Sequence, residues 1–317
     1  MADPTPQAAV DSVSQEVTTP VRIGSGSFAT VFASPGRSIV VKLAHLADHT
    51  SQVEKEFNSL HSVYTLCNSD SIFAIPRALA FYDPLTKNIL FFPPSPGRGR
   101  RRDPRRPFEP DFFANLPPRA CYVMDRAAPL PPGIAELVRS KFYSERALAS
   151  KAVAPLMCRL YFGKQLRPSA FVNPNNFPID VTRYDALYME RQNTLLPKEE
   201  VAAGMGEMLS RIQWIAGYDA RDIEFVMAGA PDAAMVRLYV IDFNQMRSFD
   251  KHHGDVSQLA DAFFSNDPYY PRPVQNDPIY GVFKDTYMSS CPSELRPRAT
   301  LFLQTIEARQ AAKSASV

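Results

Sequence analysis

Two acidic segments late in the chain constrain its fold more than any other feature: residues 217–227, Gly-Tyr-Asp-Ala-Arg-Asp-Ile-Glu-Phe-Val-Met, and residues 239–244, Tyr-Val-Ile-Asp-Phe-Asn. Each sets a carboxylate at the edge of an apolar run short enough to be a strand. Asp219 and Glu224 lie five residues apart, and Phe-Val-Met follows Glu224 at once. Asp242 closes Leu-Tyr-Val-Ile, residues 238–241. Such runs, bounded by turn residues, read as buried strands. Carboxylates at the ends of neighbouring strands are placed to share one cleft, where they could hold a metal, act as a base or bind a cationic substrate.

The first part of the chain supplies the other wall of that cleft. Residues 22–32, Arg-Ile-Gly-Ser-Gly-Ser-Phe-Ala-Thr-Val-Phe, read as a glycine-rich hairpin, with Gly24, Ser25, Gly26 and Ser27 placed to touch a substrate. Ala29 stands where a third glycine would complete a Gly-x-Gly-x-x-Gly motif. Residues 39–42, Ile-Val-Val-Lys, form a strand that carries Lys42. Residues 51–66 suit a helix, with Val53, Phe57, Leu60 and Tyr64 on one face and Glu56 as the partner for Lys42, Glu54 being the second choice.

Glycine-rich hairpin, Val-Val-Lys, acidic helix, Asp219 to Glu224 and Asp242-Phe-Asn244 occur in an order that resembles the protein kinases. The resemblance implies an α+β, two-lobed, kinase-like fold. A strand-rich first lobe spans residues 21–124 and a mainly helical second lobe 125–317, with Lys42, Glu56, Asp219, Glu224 and Asp242 facing one cleft. Residues 72–76, 78–82, 88–92 and 121–125 read as strands of the first lobe. Pro197 opens a helix by fitting its first turn, and Val201, Met205, Met208, Leu209, Ile212 and Ile215 make its buried stripe. Residues 256–264 and 298–309 are the clearest helices of the last third, and residues 1–20 read as a mobile, disordered tail.

The chain has 317 residues, 45% of them hydrophobic, enough for two lobes with cores of their own. No apolar run approaches a membrane span, so no membrane partner is expected. The first residues lack the basic and apolar regions of a secretory signal, which leads to the expectation of a cytoplasmic protein. Cys67, Cys121, Cys158 and Cys291 stand apart, without disulfide or zinc spacing. His252-His253 reads as a solvated turn, so no metal site is expected.

Residues 93–107 fit no kinase core. They carry Arg98, Arg100, Arg101, Arg102, Arg105 and Arg106 against the single acid Asp103, among prolines and glycines that forbid a helix. The net charge of the whole chain is only +2, so this is a local concentration of guanidinium. Such groups bind phosphate bidentately, and an Arg-rich arm of this kind suits an RNA backbone. A solvated insertion without a partner is the alternative.

Residues 217–227, residues 240–245 (Val-Ile-Asp-Phe-Asn-Gln) and residues 259–273 (Leu-Ala-Asp-Ala-Phe-Phe-Ser-Asn-Asp-Pro-Tyr-Tyr-Pro-Arg-Pro) resemble a fungal family of kinase-like proteins, some labelled zinc finger proteins. Proteins similar to this one include the arginine-containing cyclodipeptide synthases. The resemblance implies a transferase of fungal secondary metabolism. It would draw arginine from arginyl-tRNA and a second residue from another aminoacyl-tRNA, and close them into a diketopiperazine without a cofactor. Three departures from the kinase pattern bear on this. Gly-Tyr-Asp219 replaces His-Arg-Asp, Glu224 takes the place of the metal-ligand Asn, and Asp242-Phe-Asn244 replaces Asp-Phe-Gly. Asp219, Asp222, Glu224 and Asp242 together suit a cation such as a guanidinium, with Asp219 as the base, Asp242 or Glu224 on the guanidinium and Asn244 beside them. Ser25, Ser27 and Cys121 remain open as acyl-enzyme nucleophiles. In a phosphotransferase, Lys42 and Glu56 would instead position ATP and Asp242 and Glu224 would hold Mg²⁺, while a non-catalytic scaffold would use the Arg-rich arm for docking.

Overall fold

The protein is seen here in a computed structural model that describes residues 20–92, 108, 110–167, 172–174, 177–232, 234–266 and 268–315. The expected tail, save Pro20, and the whole Arg-rich insertion with Arg98, Arg100, Arg101, Arg102, Arg105 and Arg106 lie outside the described residues.

The strands are β1 (Val21–Ser25), β2 (Ala29–Ala33), β3 (Ile39–Ala44), β4 (Phe73–Ala74), β5 (Ala78–Asp83), β6 (Asn88–Leu90), β7 (Cys121–Asp125), β8 (Cys158–Tyr161), β9 (Phe177–Asp180), β10 (Glu224–Gly229) and β11 (Val236–Ile241). The helices are α1 (Thr50–Cys67), α2 (Pro110–Phe113), α3 (Pro132–Phe142), α4 (Glu145–Ala149), α5 (Val181–Glu190), α6 (Lys198–Ser210), α7 (Val256–Ser265), α8 (Pro278–Ser289) and α9 (Arg296–Ala315). The result is a mixed α+β protein with a sheet-rich first part and a mainly helical second part, and among the described residues no helix is long and apolar enough to cross a membrane.

Six strands in the order β1-β2-β3-β7-β5-β6 make an antiparallel sheet. Because side chains alternate along a strand, its two faces differ. One packs on α1, which buries Val53, Phe57, Leu60 and Val63; Val63 takes the place expected of Tyr64, which is only partly buried. The other carries Val41, Leu43, Cys121 and Val123 under Phe108 and Phe113.

A second sheet runs β4-β11-β10-β8-β9. It corrects one expectation: Phe73–Ala74 does not join the first sheet but pairs in parallel with β11, at Leu238 and Tyr239. Local pattern identifies a strand; it does not say which edge the strand will find. Pro197 is likewise the residue before the helix, with α6 beginning at Lys198, because its extended backbone (ψ 148°) fits an N-cap and not a helical turn.

Two close approaches fix how the parts meet. A Cβ on Gly206 of α6 would stand 2.2 Å from the Phe283 carbonyl oxygen of α8, so only glycine lets these helices cross so tightly. A Cβ on Gly229 would stand 2.1 Å from the Pro129 carbonyl oxygen, and the Gly229 amide donates to Ala128 O at 2.8 Å. The segment leaving β7 is thereby bound to the back end of β10.

Candidate functional site

Strand register places Lys42. It lies opposite Val31 and Tyr122, on the face that meets α1, and Glu56 lies on the buried side of that helix. Lys42 Nζ donates to Glu56 Oε1 at 2.7 Å and to Asp242 Oδ1 at 3.1 Å. Glu56, and not Glu54, is therefore the partner. Burial works against the lysine charge, but the two carboxylates outweigh it and hold its pKa above the ordinary value. Burial and both acids hold Tyr122 well above its own.

The acids arrive on the β10–β11 hairpin. Glu224 opens β10 directly opposite Ile241, and Asp242 follows it in the left-handed region at φ 64°. Asn244 Nδ2 donates to Asp242 Oδ1 at 2.7 Å. Gln245 Nε2 donates to Asp222 Oδ2 at 2.5 Å. Burial, Asp242 and Asp222 raise Glu224 to about 7 against the pull of Arg159, whose Nη1 is 2.9 Å away. Burial and Asp242 raise Asp222 as well. The cleft thus gathers Lys42, Glu56, Asp222, Glu224, Asp242 and Asn244, with Glu224 poised to exchange a proton near neutrality.

Asp219 has a different part. Its carboxylate is fully buried and accepts from Arg247 Nε at 2.6 Å, Arg247 N at 3.0 Å, Arg221 N at 3.1 Å and Gln258 Nε2 at 3.3 Å. A base needs an available lone pair, whereas Asp219 meets a donor on every side. It braces the loop that carries Asp222 and Glu224. That loop leaves α6 through a π-helical turn (Arg211–Ala216) and left-handed Gly217, and passes two further left-handed residues, Ala220 at φ 57° and Asp222 at φ 64°. Left-handed non-glycine residues cost on the order of 1 kcal/mol each and persist where the surroundings over-determine them. Here Asn266, buried at the end of α7, does so. It accepts from the Asp222 amide and donates to Ala220 O at 3.0 Å and Ile223 O at 3.2 Å.

The glycine-rich hairpin touches the site differently from expectation. Phe28 lies 5.3 Å from Lys42 Nζ, in cation–π range. Ser25, however, is opposite Thr30, and Thr30 opposite Leu43, which puts both hydroxyls on the sheet face away from Lys42. There Ser25 Oγ is 3.3 Å and Thr30 Oγ1 2.9 Å from His45 Nε2. The Gly26 amide already donates to Ala29 O at 2.9 Å. A Cβ on Gly24 or Gly26 would meet nothing closer than 3.9 Å, so the hairpin leaves open room that its own backbone does not require. Ser27 is exposed. Cys121 is buried on the far face, where burial pushes its thiol up to about 12, the reverse of activation.

Sequence reading missed Arg159, Arg247 and Asn266. The first two are ordinary arginines in sequence; for Asn266 the signal was its place in the segment Ser-Asn-Asp-Pro after an apolar helix.

A family model described as "Zinc finger protein" matches residues 238–296, a minor part of the chain. No curated protein matches it. The matched segment holds one cysteine and two histidines, and among the described residues no group of three or more His, Cys, Asp or Glu side chains is arranged to hold a metal.

Proposed function

We propose that the chain is an aminoacyltransferase that takes arginine and a second amino acid from their tRNAs and closes them into a cyclic dipeptide, on a kinase-like fold. The observation that carries this reading is the convergence of Asp222, Glu224 and Asp242 on one cleft, with Glu224 raised to about 7. Such a cleft favours a cationic substrate over a triphosphate. Asp222 and Asp242 present oxygens to a guanidinium. Glu224 takes the proton from the α-ammonium of one aminoacyl group. The freed amine attacks the ester carbonyl of the other and gives up its second proton to water as the amide forms; the C–O bond to the tRNA 3′-oxygen breaks, and Glu224 returns the first proton to that oxygen. A second attack of the same kind closes the ring. Lys42, kept protonated by Glu56 and Asp242, stabilises the oxyanion with its remaining N–H. The esters are already activated, so no nucleotide is consumed.

The Lys42–Glu56 pair at 2.7 Å favours a second reading, ATP-dependent phosphoryl transfer, in which Asp242 and Glu224 would hold Mg²⁺. One experiment separates the two. The protein is incubated with arginyl-tRNA and a mixed aminoacyl-tRNA pool, ATP omitted, and products are read by mass spectrometry. An arginine-containing diketopiperazine is expected. Its absence, with phosphate transferred from ATP in a parallel incubation, would favour the kinase reading.

A further inference from the structure

Strand β8 carries a second group of side chains on the cleft face of the second sheet. Arg159 lies opposite Val226 on β10, and Tyr161, two residues on, shares its face. Arg159 forms an ion pair with Glu224 through Nη1, while its buried Nε has no hydrogen-bond partner among the described residues. The Tyr161 ring is partly exposed and makes a T-shaped contact with Tyr269, 5.1 Å between centroids and 88° between planes. The chain beyond Tyr161 is pinned: Phe162 N donates to Tyr269 O at 3.0 Å, Gly163 N to Pro268 O at 2.8 Å and Arg272 Nε to Gly163 O at 2.9 Å. A Cβ on Gly163 would lie 2.3 Å from Tyr270 O, so this contact admits glycine alone. Exposed Lys164 and Arg167 follow. A partly exposed aromatic ring thus stands between a guanidinium paired with Glu224 and a basic rim, one strand away from Glu224.

Resting on the aminoacyl-transfer reading, we infer that this face seats the single-stranded 3′ end of an RNA. The terminal base stacks on Tyr161, and the phosphates behind it meet Arg159, Lys164, Arg167 and Arg272. Single-stranded RNA is read through stacking on aromatic rings with basic groups along its backbone, and every base offers a π-face. The position is the one the chemistry asks for. An aminoacyl ester hangs from the terminal ribose, so a terminal base on Tyr161 delivers the ester to Glu224.

The test compares two uncharged RNA stems, one ending in single-stranded CCA and the other lacking its last adenosine, by fluorescence anisotropy with the full chain. Wild type should bind the complete end roughly tenfold more tightly. Tyr161→Ala should bring the two RNAs level, while Tyr161→Phe, which keeps the ring, should retain the difference. The surface double variant Lys164→Gln/Arg167→Gln should weaken both RNAs alike and flatten the dependence on salt, because phosphate contacts carry affinity without reading bases. Equal binding of both stems by wild type, or a preference that survives Tyr161→Ala, would overturn the subsite and leave aminoacyl transfer standing if the cyclic product still forms. Wild type that binds neither stem and forms no product would remove both.

Discussion

The loop from Gly217 to Glu224 and the hairpin from Val21 to Ala33 both border the Lys42 site, and they are held in opposite ways. The loop adopts three left-handed residues and fixes them with buried side chains: Asp219 from inside, Asn266 from α7. Only Ala29 and Ala33 of the hairpin are buried, and its polar contacts are few, chiefly Ser25 and Thr30 on His45. On the proposed reading, the loop presents Asp222 and Glu224 at fixed positions and needs over-determination, whereas the hairpin admits the substrate and needs room. The comparison therefore makes quantitative demands on variants of each wall.

The largest effect belongs to Asp219→Ala, which strands the Arg221 and Arg247 amides and removes a charge-assisted bond in a fully buried place. A loss of about 4 kcal/mol in urea unfolding is expected; a loss below 1 kcal/mol would show that the loop holds its shape without this carboxylate. Next comes pH. Glu224 is raised from 4.5 to about 7, so the native state retains a proton that the unfolded chain releases between those values. Its contribution is present in full below the unfolded pKa and is lost as pH rises through the native one, up to about 3 kcal/mol. Unfolding free energies measured from pH 4 to 8 should decline across that window in wild type, with Glu224→Gln lacking this part of the decline. An identical slope in the variant would place the titration elsewhere.

Asn266→Ala removes three hydrogen bonds to the loop, and about 2 kcal/mol should go with them. Faster amide exchange at Asp222 and Ile223 is the accompanying signature, and unchanged exchange would deny Asn266 its bracing part. Smallest of all, Ser25→Ala in the hairpin should cost at most about 0.5 kcal/mol, since the two hydroxyl contacts it loses, to His45 and Thr30, are long and exposed. A hairpin as sensitive as the loop would erase the contrast between the two walls.

The Lys42–Glu56–Asp242 group was legible through the order of motifs that resembles the kinases, and short-range rules then placed each member. Strand alternation aims Lys42, helical period aims Glu56, and the end of an apolar run positions Asp242. Arg159 was not legible, since β8 has four residues and a single arginine in a short strand has no periodic signature. Asp219 misled because spacing identifies a carboxylate near a cleft but not what surrounds it; Arg247 and Gln258, which saturate it, come from 28 and 39 residues farther on. Asn266 acts on backbone 43 to 46 residues away, which no local pattern records.

Strand β4 carries a consequence for cutting the chain. It lies before β7 in sequence yet belongs to the second sheet, where it is the outer neighbour of β11. A gene divided after Asp125 would therefore not yield two self-sufficient products. The first fragment would carry Phe73, buried against Phe225 in the intact protein, with no groove to receive it, and the second would present the β11 edge bare. Synthesised together, the fragments have a docking key already built in: a two-residue strand and one aromatic ring by which the halves recognise each other.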